Sequence, residues 1–168
     1  MAQQDPLMPS RVDFAWRCHA AQESWTAKVD AKASIFLTAN FVGLAALLAA
    51  RSNPGEVVPP SGWQRFGLDT GIVLAGLATL ATIVVIFPLL GPSRVAQPGA
   101  IYFGHLRGRS PDAVARQISV LGFEDQLGQL ARQLVVMSRV NWMKHRVLQV
   151  AIVLAVVGYT LAGLSFST

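Results

Sequence analysis

Four side chains in this chain have the chemistry to hold a transition metal: Cys18, His19, His105 and His145. Zinc sites draw ligands in pairs at short fixed spacings, and these four show no such pairing, so they read as a buried thiol and ordinary imidazoles. Cys18 is the lone cysteine, which excludes an intrachain disulfide. The adjacent acids Glu124 and Asp125 follow Gly122, where the start of a helix favours negative charge, and no second carboxylate group completes a general acid/base pair. Neither a nucleophile elbow nor a phosphate-cradling glycine loop is present. The chain therefore reads as a non-enzyme with no metal and no bound cofactor.

The elements that would position these side chains follow from composition. Of 168 residues, 52% are apolar and 14% charged, against about a quarter charged in soluble domains. The apolar residues gather in three charge-free stretches. Ala33 to Ala50 lies between Lys32 and Arg51; Thr70 to Ser93 lies between Asp69 and Arg94; the third follows Arg146. About 20 helical residues cross a hydrocarbon core of roughly 30 Å, so the second and third stretches span with ease and the first, at 18 residues, just does. The fold class expected is an all-α integral membrane protein with three transmembrane helices. Because the first apolar run begins only at Ala33, behind an acid-containing helical segment, a secretory signal is not expected.

Basic residues set the orientation. The segment before Ala33 has four and the segment 92–146 has eight, whereas the connection 51–69 has Arg51 and Arg65 alone. This asymmetry places the N-terminus in the cytoplasm and the C-terminus outside. It divides the chain into a cytoplasmic N-terminal helix (1–32), a first span (33–50), an outer loop (51–69), a second span (70–91), a cytoplasmic loop and helical region (92–146) and a third span (147–166). The whole net charge of +5 belongs to 92–146, which has eight basic and three acidic residues.

No Gly or Pro falls between Ser10 and Gly43, so the N-terminal helix should run unbroken into the first span. Phe14, Cys18, Ala21, Trp25 and Val29 recur at helical spacing and predict its packing face against the other cytoplasmic helix. The 51–69 connection, rich in Pro and Gly, offers Trp63 and Phe66 as interface anchors. Pro92 to Ser110 reads as a returning loop with an extended or turn-like stretch at Ile101–Leu106. Ser110, Pro111 and Asp112 then open a helix to about Leu121. A second helix from near Glu124, with Leu127, Leu130, Leu134, Met137 and Val140 or Asn141 along one face, continues into the third span. The first and third spans thus extend into the cytoplasm, with a helical arm between spans two and three.

Within the bilayer, Ala151, Ala155, Gly158, Ala162 and Ser165 form one small-residue seam, and Gly71, Ala75 and Thr79 another. They suit packing within the chain as well as between copies. Asn40 lies mid-span, where a side-chain amide needs a partner; interhelical bonding is favoured over a pore lining.

The residues together resemble a known family. Asp30-Ala31-Lys32-Ala33-Ser34 at the start of the first span, Asn40 within it, Ile101-Tyr102-Phe103-Gly104-His105 after the second, and a basic helix ending at Lys144 and Arg146 are similar to the transmembrane effectors of the bacterial Pycsar antiphage system, PycTM. The resemblance runs from about Phe14 onwards and rests on the order of these short motifs relative to three spans. It implies an effector activated by a cyclic pyrimidine mononucleotide, cCMP or cUMP, made by a cognate cyclase, that impairs membrane integrity in abortive infection.

Such a ligand has one negative charge, a ribose and a base, and calls for a guanidinium or backbone N–H groups and an aromatic face. Tyr102, Phe103, His105, Arg107 and Arg109, with Gly104, supply those types in one loop. The alternative is that the arginines face anionic lipid while the aromatics pack on the helices. Asp30 and Lys32 would pair with Lys144 or Arg146 and with an acid across the bundle. Lipid, the nucleotide and further copies of the chain are the expected partners; nucleic acid is not. The competing reading is a constitutive inner-membrane docking protein with no nucleotide ligand. A small transporter fits poorly, because the spans have neither charge nor repeat.

Overall fold

A computed structural model describes residues 11–52, 62–87, 99–101 and 103–166. The described residues are 90% helical and contain no strand. There are five helices among them: α1 (Arg11–Ser52), α2 (Gly62–Ile86), α3 (Phe103–Leu106), α4 (Pro111–Ser119) and α5 (Phe123–Leu164). Three of these, α1, α2 and α5, are long and apolar enough to cross a membrane. With 42 residues each, α1 and α5 are about 63 Å long, twice the roughly 30 Å of hydrocarbon they have to cross.

Local chemistry accounts for the ends. The helix α2 stops before Pro88, whose ring disfavours helical backbone at the residue preceding it. Ser110 caps α4, its hydroxyl accepting from the Ala113 N–H at 3.3 Å, and Pro111 takes the first helical position. That helix closes at Ser119, two residues short of the expected end. At its other end α2 begins at Gly62, inside the stretch read as an outer loop. The Ile101–Leu106 stretch, expected to be extended or turn-like, instead holds the single helical turn α3.

Burial on the long helices repeats at alternating steps of three and four. On α1 the covered positions include Val12, Ala15, His19, Gln22, Thr26, Val29, Ala33, Phe36 and Asn40. On α2 they are Gln64, Leu68, Gly71, Ala75, Ala78, Thr82 and Val85, with Thr79 beside them. On α5 they run from Leu127 and Leu130 through Leu134, Met137, Asn141, Lys144, Leu148, Ala151, Ala155 and Gly158 to Ala162. This spacing is the seven-residue repeat of helices packed side by side at a shallow angle. The expected face of α1 through Phe14, Cys18, Ala21, Trp25 and Val29 therefore coincides with its packing face only at Val29. Phe14 and Trp25 are 64% and 53% exposed, because the seam turns toward positions occupied by His19, Gln22 and Thr26, whose polar groups find partners on α5 or nearby.

The chain divides into two compact units, one of Met1–Thr26 with Leu89–Asn141 and one of Ala27–Pro88 with Trp142–Thr168. The core of the first is Val12, Ala15 and Leu130, with Ile101 and Leu127 against it. That of the second is Val29, Ala33, Val85 and Leu148, flanked by Phe36, Ile86 and Val147. Small residues permit the closest approach in the second unit. A Cβ on Gly71 would lie 2.6 Å from the Gly158 carbonyl oxygen, and one on Gly158 would lie 2.9 Å from that of Gly71. Both small-residue seams are thus filled within the chain. Gly71→Val and Gly158→Val should each destabilise the bundle by about 1–3 kcal/mol through forced backbone shifts, while Gly76→Ala and Gly163→Ala, which face open space, should be close to neutral; thermal unfolding in one detergent compares the four.

Candidate functional site

The three long helices meet polar group to polar group in the membrane-spanning unit. Asn40 is 2% exposed, and its Nδ2 donates to the Ala75 carbonyl at 3.0 Å and to Thr79 Oγ1 at 2.7 Å. The Tyr159 hydroxyl lies 2.9 Å from both the Asn40 side-chain and main-chain carbonyl oxygens. Gly43, one turn along α1, leaves room for that ring, since a Cβ there would stand 2.5 Å from the Tyr159 oxygen. One amide thereby bridges α1, α2 and α5, the interhelical role read from its position.

Two ion pairs sit at opposite ends of α1's apolar run. Asp30 Oδ1 accepts from Lys144 Nζ at 2.6 Å, and the Lys144 side chain is 8% exposed. Arg51 Nε donates to Asp69 Oδ1 at 2.7 Å, both half-exposed. Asp30 and Arg51 are 21 residues apart, about 31 Å of helix, so the pairs bracket one hydrocarbon thickness. Of the partners considered for Asp30, the structure selects Lys144. Arg146 instead lies over the Trp142 ring, 5.1 Å from its centre, and Lys32 is exposed. Ser34 donates within α1, to the Asp30 carbonyl at 2.9 Å.

In the other unit, α1 and α5 share an amide lattice. Asn141 Nδ2 donates to Gln22 Oε1 at 2.8 Å and to the Gln22 carbonyl at 3.2 Å, and the Thr26 hydroxyl donates to Asn141 Oδ1 at 2.6 Å. Asn141 is one of two residues that spacing allows on the α5 face, whereas apolar periodicity does not reach Gln22 and Thr26. The signal was there in the repeat that links them to Val12, Ala15 and His19, but polar side chains hid it from a search for apolar ones. Among the described residues no buried side-chain polar atom lacks a hydrogen-bond partner.

The loop expected to receive a ligand is held by this same unit. His105, on α3, accepts at Nδ1 from the Gly99 N–H at 3.3 Å, and the Ala100 N–H donates to Gln129 Oε1 on α5 at 2.9 Å. Arg109 Nη1 donates to Gln117 Oε1 on α4. Gly104 and Arg107 are exposed. Tyr102 and the side chain of Phe103 lie outside the described residues. Among the described residues, no group of three His, Cys, Asp or Glu could hold a metal ion.

Three long apolar helices joined by buried polar contacts define a multi-pass membrane protein, with two of those helices far longer than the bilayer requires. Residues 14–168 match the Pycsar effector protein domain, PycTM, and the chain belongs to that family of effectors. No curated protein and no solved structure matches it.

Breaking one side of the Asp30–Lys144 pair strands a largely buried cation. Asp30→Asn should lower stability by about 1–3 kcal/mol, discounted from the fully buried case because Asp30 is partly exposed. The double variant Asp30→Asn/Lys144→Met, which removes both charges, should recover most of that loss in the same unfolding assay.

Proposed function

We propose that this Pycsar effector is activated by a cyclic pyrimidine mononucleotide, cCMP or cUMP, supplied by a cognate cyclase, and that activation impairs the inner membrane and ends growth of the infected cell. The observation that carries the reading is the family match over nearly the whole chain, on a protein with three membrane-crossing helices. No catalytic constellation is needed for such a role. The effector acts by changing its packing.

The excess of basic residues in 92–146 supports a cytoplasmic placement of that segment and of the N-terminus, with the C-terminus outside. It also makes the segment the natural receiver of an anion. Arg107 and Arg109 would meet the phosphate, Tyr102 and Phe103 would face the base, and His105 would complete the loop. Arg109 already bonds the neutral Gln117 amide, and exchanging that oxygen for a phosphate oxygen gives the stronger, charge-assisted contact. Binding would bias the packing of α1 and α5, which continue as single helices from this unit into the membrane-spanning one. Ligand energy is thereby available to shift the spans between two arrangements.

Cells producing the protein together with a pyrimidine cyclase should take up a membrane-impermeant dye, and cells with an inactive cyclase should not. Dye exclusion despite abundant cyclic nucleotide would contradict the proposal. Arg107→Ala and Arg109→Ala should weaken binding of cUMP or cCMP by the purified protein in detergent. Unaltered binding removes both residues from the site, and no binding by the parent favours the docking protein.

A further inference from the structure

Arg146 is the last charge before the third span, and its guanidinium lies 5.1 Å over the Trp142 ring. Both side chains are exposed, on the side of α5 away from the seam through Asn141, Lys144 and Leu148. A guanidinium stacked on an indole keeps its N–H donors in its own plane, where their edge is open to a bidentate acceptor. The contact between Asp30 and Lys144 sets the level of this site, and that between Asn40 and Tyr159 shows that α1 and α5 run parallel. Two residues beyond the ion pair stand Lys32 on α1 and Arg146 on α5, each followed by at least 18 uncharged residues. That is the depth of the lipid headgroups, where phosphate is the acceptor at hand.

No acid of the chain competes for Arg146. Among the described residues no carboxylate pairs with it, and Asp30 is taken by Lys144. Asp5 and Glu56 are the two acids outside the described residues, and Glu56 follows the far end of α1. Asp5 precedes the start of α1 by six residues, about 20 Å at full stretch, whereas Asp30 is about 28 Å along that helix. Arg132 and Arg139 precede Arg146 at steps of seven, on the same side of α5, but have Gly128 and Val135 where Arg146 has Trp142. Each step of seven also adds about 10 Å of distance from the apolar run.

We infer that Arg146, stacked on Trp142, binds the phosphate of an anionic phospholipid. Lys32 adds a second uncompensated positive charge at the same depth, which favours phosphatidylglycerol over phosphatidylcholine, whose own ammonium cancels its phosphate. Full-length protein in detergent micelles doped equally with the two lipids should retain phosphatidylglycerol preferentially in native mass spectrometry. At unchanged helicity by circular dichroism, Arg146→Ala should lower the bound fraction several-fold. Arg146→Lys should fall between it and the parent, because an ammonium cannot bind the phosphate as a planar fork. Arg139→Ala, which removes the same charge from the same side of the helix, should match the parent. Equal retention of the two lipids, or an equal loss in Arg139→Ala, would overturn the inference. So would displacement of the lipid by inorganic phosphate at the same concentration, the mark of a free-anion site.

Discussion

An amide in hydrocarbon must find partners or leave the membrane, and the packing of the spanning helices depends on how Asn40 resolves that constraint. Its donor side is met by α2 through the Ala75 carbonyl and Thr79, and its acceptor side by the Tyr159 hydroxyl of α5. Because bonds of this kind are directional, they set the rotation of each helix about its axis as well as its distance from the others. With that rotation fixed, Gly43 must lack a side chain where the Tyr159 ring lies, and Gly71 and Gly158 must meet backbone to backbone. Dispersion along the small-residue seams then holds what the amide orients.

The seven-residue repeat extends over both units, but its contents change with the solvent. Between α1 and α5 in the first unit, apolar layers alternate with the Gln22–Thr26–Asn141 lattice, in the manner of buried polar layers that define register in coiled coils. In the spanning unit, the same positions of α5 shrink to Ala151, Ala155, Gly158 and Ala162, because in lipid close approach matters more than the burial of apolar surface. Charges return only where each apolar run ends, as Asp30–Lys144 and Arg51–Asp69.

The spans, the unbroken first helix and the capped α4 were legible because they rest on local features: charge-free length, absence of Gly and Pro, and a Ser-Pro-Asp start. Asn40 was legible too, since its cost arises from depth alone. The packing face of α1 was not. Phe14 and Trp25 outweigh Gln22 and Thr26 on any hydrophobic measure, and only the position of Asn141, more than a hundred residues away, makes the polar side the inner one. Likewise the sequence does not announce that Arg109 and His105 have partners in the fold, which depends on where Gln117 and Gly99 come to lie.

In the proposed activation, a bundle aligned by a few buried polar bonds is the arrangement that differential binding would shift. A double-mutant cycle between Asn40→Ala and Tyr159→Phe, measured as unfolding free energy in detergent, tests that alignment most directly. Alignment by this bond predicts a coupling of about 0.6–1.7 kcal/mol, the range of interhelical hydrogen bonds in membranes. Strictly additive effects would contradict it.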